Sequence, residues 1–152
     1  MKKQNIILIG VVCLLHLFIW GQSLLTGAVS SSQSGFVVDV LYPVVSWVLP
    51  NLSVGTMSFI IRKLAHFTEY FILGLLLYRV YMSYVKGYFL LTIVVMHGLL
   101  VAAIDESIQL FTPNRSGELR DVLIDLLGVI LAVVVIILFK AKSIHNKKHI
   151  IK

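Results

Sequence analysis

A single cysteine, Cys13, leaves the chain no partner for an internal disulfide. Its place inside an apolar run makes it read as a small buried apolar residue. Charge is scarce. Only 13% of the 152 residues are Asp, Glu, Lys or Arg, against roughly 25% in soluble domains. With 59% hydrophobic residues and a mean hydropathy of +0.96, this shortage excludes an ordinary soluble domain and indicates an integral membrane protein. No linker, internal repeat or low-complexity segment divides the chain, so one domain of a few spans is expected. There is no HExxH, no paired histidine and no Ser or Cys nucleophile motif, which weakens a hydrolytic reading. The basic tail "KAKSIHNKKHIIK" suits anionic lipid, and no nucleic-acid partner is expected.

What is abundant is long apolar runs. "IILIGVVCLLHLFIW" starts a first span over about residues 6–25. Its basic start resembles a signal peptide, but the length of the run favours a retained anchor. Residues 26–35 read as a polar Gly/Ser loop. "FVVDVLYPVVSWVLPN" (36–51) contains Pro43 and Pro50, which argue against a straight span. It reads instead as an amphipathic or re-entrant segment on the outer side, with Tyr42 and Trp47 at the interface. Further spans are expected over about 58–78, 87–104 and 121–139. The fold class is therefore all-α, a polytopic membrane protein with four transmembrane helices plus that segment.

Four spans place both termini on one side. That side then holds Lys2, Lys3, Arg79, Lys86, Lys140, Lys142, Lys147, Lys148 and Lys152, most of the thirteen basic residues. The positive-inside rule makes it cytoplasmic. All seven acids (Asp39, Glu69, Asp105, Glu106, Glu118, Asp121 and Asp125) then fall on the outer half.

The stretch "DESIQLFTPNRSGELRDVLID" (105–125) is the exception to the scarcity of charge. In "RKLAHFTEYFILG" (62–74), Arg62, His66 and Glu69 share a helical stripe with Tyr70 beside it. Glu69 then lies about 10 Å along the axis from Arg62, well below the interface. Ionisable groups at such depth rarely face lipid. Gly98, Ala102, Asp105 and Gln109 share a second face; Asp121, Asp125, Gly128 and Ala132 share a third. Small residues below polar ones let the helices approach closely. The three stripes are expected to face one another, pairing the acids with Arg62, Arg115 or His66. Pro113-Asn114 and Ser116-Gly117 predict a tight reversal that holds Arg115 above the cluster.

The two quoted stretches resemble the VanZ-like family of bacterial membrane proteins. The positions carrying the resemblance are Lys63, His66, Glu69, Tyr70, Asp105, Glu106, Gln109, Pro113, Arg115, Gly117, Asp121 and Gly128. Asp125 departs from the Asn that many relatives have there. The resemblance implies lowered susceptibility to teicoplanin and related lipoglycopeptides.

Three readings of the cluster stand side by side. It is a structural lock between helices; or a binding site; or an intramembrane, metal-dependent hydrolase or transferase acting on a lipid-linked envelope substrate. A transport pathway has little support without a pair of broken helices. For the catalytic reading the candidates are His66, Glu69, Asp105 and Glu106. A divalent metal, which nothing in the sequence requires, would draw on these and Asp121. The binding reading is adopted. It uses Arg62, Lys63, His66, Glu69, Tyr70, Asp105, Glu106, Gln109, Arg115, Asp121 and Asp125 to engage an anionic membrane lipid, an undecaprenyl-linked wall precursor or the lipoglycopeptide itself.

Overall fold

In a computed structural model the chain forms five helices: α1 (Lys3–Ser23), α2 (Gly27–Val48), α3 (Val54–Tyr81), α4 (Tyr88–Leu110) and α5 (Leu119–Ile150). The structure describes residues 3–150, with side chains to Lys142, and no strand occurs among them. Lys2 and Lys152 lie outside the described residues, as do the side chains of His145, Lys147, Lys148 and His149.

Three segments are long and apolar enough to cross a membrane: α1, α4 and Leu119–Lys142 of α5. The chain is accordingly an all-helical membrane protein. The 28-residue α3 is longer than α1 or α4, but His66, Glu69 and their polar neighbours dilute its apolar run. It is nevertheless the central helix and packs against each of the other four. Ser53 caps its start by accepting from the Thr56 backbone N–H at 3.1 Å, and Arg79 sits in its last turn, where the helix dipole favours a cation.

The core lies along α3, α4 and α5, where Leu73, Leu77, Val94, Val101, Val129 and Ala132 are buried. Close approach depends on glycine. A Cβ on Gly128 would stand 2.5 Å from the Phe67 carbonyl oxygen of α3, and one on Gly98 would stand 2.6 Å from a Val129 methyl. The small-residue seams expected on α4 and α5 therefore exist. Outside them, large apolar side chains such as Leu14, Leu17, Leu138 and Phe139 are exposed, as lipid-facing residues are.

Three expectations need correction. Residues 26–35 are not a loop but the first turns of α2, which continues through Pro43. Their small side chains let α2 lie against α3, burying Ser34 and Val38 and joining Ser34 Oγ to Ser58 Oγ at 2.9 Å. Tertiary packing here outweighs weak helix propensity. Cys13 is not buried; it sits on the outer face of α1, an apolar residue among lipid-facing ones. Finally, α4 runs to Leu110 rather than ending near 104, so Asp105, Glu106 and Gln109 are all helical.

Candidate functional site

The polar ends of α3, α4 and α5 converge. Asp105 and Asp125 are fully buried, and Glu106 and Gln109 nearly so. His66 Nδ1 of α3 lies 3.6 Å from Asp125 Oδ1 and 3.9 Å from Asp105 Oδ2. The predicted faces of α4 and α5 thus meet at the imidazole. Donor atoms of His66, Asp105, Glu106 and Asp125 lie within 4.8 Å of one another.

Asp105 and Glu106 are held by hydrogen bonds on every oxygen. Ser23 Oγ of α1 donates to Asp105 Oδ1. Gln109 Nε2 donates to Asp105 Oδ2 at 3.2 Å and to Glu106 Oε1 at 3.1 Å. The Glu118 backbone N–H donates to Glu106 Oε2 at 2.8 Å. That last bond ties the 111–118 turn to α4. Asp125 contrasts with this pair. Neither of its oxygens has a hydrogen-bond partner, and the same is true of His66 Nδ1 and the buried Tyr70 hydroxyl.

Above the acids is a polar cavity of about 460 Å³, lined among others by Arg62, Lys63, His66, Gln109, Arg115, Glu118 and Asp121. A smaller one of about 180 Å³ shares Ser30, Arg62, His66 and Arg115 and adds Glu69. Arg115 is placed by the reversal after α4. Asn114 adopts φ 57°, in the left-handed region that Asn tolerates, and the Arg115 N–H donates to the Thr112 carbonyl at 3.2 Å. The turn also meets α2, because the Gly27 N–H donates to the Pro113 carbonyl at 3.1 Å. A Cβ at Gly27 would overlap the Asn114 carbonyl. Partial burial pulls the Arg115 pKa below the usual guanidinium value, opposed by Asp105 and Glu106; an arginine stays charged nonetheless.

Of the three expected partners of the acids, His66 pairs with Asp125 and Asp105, and Arg62 and Arg115 do not pair among the described residues. Lys63 takes Asp121 as its partner, and Arg120 pairs with Glu118 at 2.9 Å on the surface. Among the described residues Arg62 makes no ion pair, and Arg115 donates only to the Gln22 carbonyl, at 3.4 Å. Lys63 and His66 of α3 are the cations within reach of α5. Glu69 and Asp121, expected among metal donors, stand outside the compact group, and Asp125 takes their place. Asp39 is exposed on α2, apart from the cluster.

The sequence reasoning missed two contributors. Ser23 and the Gln22 carbonyl come from α1, and Gly27, Ala28, Ser30 and Ser31 of α2 line the larger cavity. The polar pair Gln22-Ser23 at the end of an apolar run broken only by His16 was the available signal for α1.

Comparison with known proteins gives one match: a family model described as VanZ/LLP1 covers residues 6–140. No curated protein and no solved structure matches the chain.

Proposed function

Since the chain belongs to the VanZ/LLP1 family, we propose that it is an envelope protein that lowers susceptibility to teicoplanin and related lipoglycopeptides. It does so by holding an anionic head group in the cavity above the acids. The head group belongs to a membrane lipid or to an undecaprenyl-linked wall precursor. One observation carries the reading: two guanidiniums, Arg62 and Arg115, border a 460 Å³ cavity without a carboxylate partner among the described residues. An arginine fork matches phosphate bidentately. On the same walls the Asn114 amide offers a donor to pyrophosphate oxygens and the Gln109 carbonyl oxygen an acceptor for sugar hydroxyls. Lys63 supports the rim but has its charge engaged by Asp121.

In this proposal α3 crosses the membrane together with α1, α4 and α5. At about 1.5 Å per residue its length exceeds the roughly 30 Å hydrocarbon core. Its Arg62, Lys63, His66 and Glu69 line the two cavities, as ionisable residues within a membrane turn inward. Four crossings put both termini in the cytoplasm and the cavity on the outer side, where α2 lies against the bundle. Charge distribution supports this orientation, since Arg79, Lys86, Lys140 and Lys142 gather at the opposite end from the acids.

The test is expression in a teicoplanin-susceptible bacterium. The wild-type chain raises the inhibitory concentration, and Arg115→Ala returns it to the level of the empty vector at unchanged membrane abundance. Resistance retained by both Arg115→Ala and Arg62→Ala would overturn the reading.

A further inference from the structure

The floor of the cavity has a separate chemistry. Three buried carboxylates, Asp105, Glu106 and Asp125, come from two helices and meet one imidazole. Burying charge without compensation is expensive, and such groups find partners, bind a cation or take up a proton. Lysine and arginine do not supply that partner here. Lys63 is held by Asp121, and the Arg115 guanidinium is directed to a backbone carbonyl.

The hydrogen bonds divide the group into two kinds of residue. Asp105 and Glu106 are oriented from behind by Ser23, Gln109 and the Glu118 N–H, and each of their oxygens retains a further lone pair. Outer donors that fix ligand carboxylates in this manner are a recurrent property of metal sites. Asp125 and His66 are the opposite. Asp125 is fully buried with both oxygens unpartnered, and the unpartnered His66 Nδ1 points at it. A finished structural lock satisfies its buried polar atoms. This one leaves open the very atoms that a cation would take.

We infer that His66, Asp105, Glu106 and Asp125 form a divalent-cation site that ties α3, α4 and α5 together beneath the cavity. One nitrogen and three carboxylate oxygens suit Mn²⁺ or Zn²⁺. A cation with ligands at about 2.1 Å holds tetrahedral donors about 3.4 Å apart and trans octahedral donors about 4.2 Å apart, so a group spread over 4.8 Å closes on it by contracting roughly 0.6–1.4 Å. The cation offsets two of the three negative charges of the buried acids and stands beside whatever occupies the cavity, because His66 belongs to both. The site does not depend on the head-group reading.

The test uses the purified full chain in detergent, stripped with chelator, loaded separately with Mn²⁺ or Zn²⁺ and desalted. Wild-type protein retains about one ion per chain, and loading raises its melting temperature. Asp125→Ala lowers affinity by about tenfold or more, whereas Arg115→Ala retains the ion. In the Mn²⁺ form, pulsed electron paramagnetic resonance detects coupling to a histidine nitrogen, and His66→Gln abolishes it. Should Asp125→Ala not fold, Glu106→Gln takes its place in the same assay. Folded wild-type protein that retains neither ion, or that binds unchanged after either substitution, overturns the inference. Retention of the ion by a protein that binds no head group would sink the function proposed above and leave the metal site standing.

Discussion

The two ends of the helical bundle handle buried polarity in opposite ways. At the end where α1, α3 and α4 surround His16 and His97, the polar groups satisfy one another. His16 Nδ1 bonds the Val12 carbonyl at 2.6 Å, His16 Nε2 meets His97 Nε2 at 3.2 Å, and His97 Nδ1 meets the Tyr81 hydroxyl at 2.9 Å. Nearby, Lys140 Nζ donates to the Tyr78 hydroxyl at 2.7 Å. At the acidic end, Asp125, His66 Nδ1 and Tyr70 are buried without partners, while two arginines border an open cavity. Polar groups that serve only to fix helix register can close on themselves, as those of the first end do. On the proposed reading, a ligand completes the valences left open under the cavity. The comparison therefore separates polar groups that satisfy one another from polar groups that do not, within one small protein.

Substitutions can break or sharpen this contrast. The largest effect is expected from Gly128→Leu, which drives a side chain into the Phe67 backbone and serves both ends as a packing control. Overpacking costs about 1–3 kcal/mol or more, and thermal unfolding in detergent should show loss of the folded bundle. Next comes Asp105→Ala, which strands the donors on Ser23 and Gln109. Leaving buried donors unpaired costs about 1–3 kcal/mol, so both melting temperature and resistance should fall.

His97→Phe probes the region whose polar groups satisfy one another. It removes the partner of His16 Nε2 and Tyr81 and costs about 1 kcal/mol, with resistance per folded molecule unchanged. A loss of resistance at normal abundance would erase the distinction between the two ends. The smallest effect belongs to Arg120→Ala. Its pair with Glu118 is largely exposed, and such pairs contribute under about 1 kcal/mol. Stability and resistance should both stay at wild-type values in the same assays.

Much of the acidic end was legible from spacing. Asp105 and Gln109 are four residues apart, as are Asp121 and Asp125, and helical periodicity alone placed each pair on an inward face. The turn residues Pro113 and Asn114 foretold where Arg115 would be held. Spacing does not fix how far a helix rotates against its neighbours, so it could not distinguish Asp125, which joins the compact group, from Glu69, which lines the smaller cavity. Nor could it show Lys63 capturing Asp121 while the arginines stay apart, since that depends on the spacing between helices. The start of α2 was hidden because Gly27–Gly35 has the composition of a loop, and only contact with α3 makes it helical. Ser23 was overlooked because one hydroxyl at the end of an apolar helix leaves no periodic trace.

Native mass spectrometry of the full chain with undecaprenyl phosphate addresses the open end most directly. The account predicts a one-to-one complex that survives release from the detergent micelle, weakens about tenfold or more in Arg62→Ala and in Arg115→Ala, and persists in His97→Phe. Equal retention of this lipid by wild type and both arginine variants, with all of them folded, would contradict it.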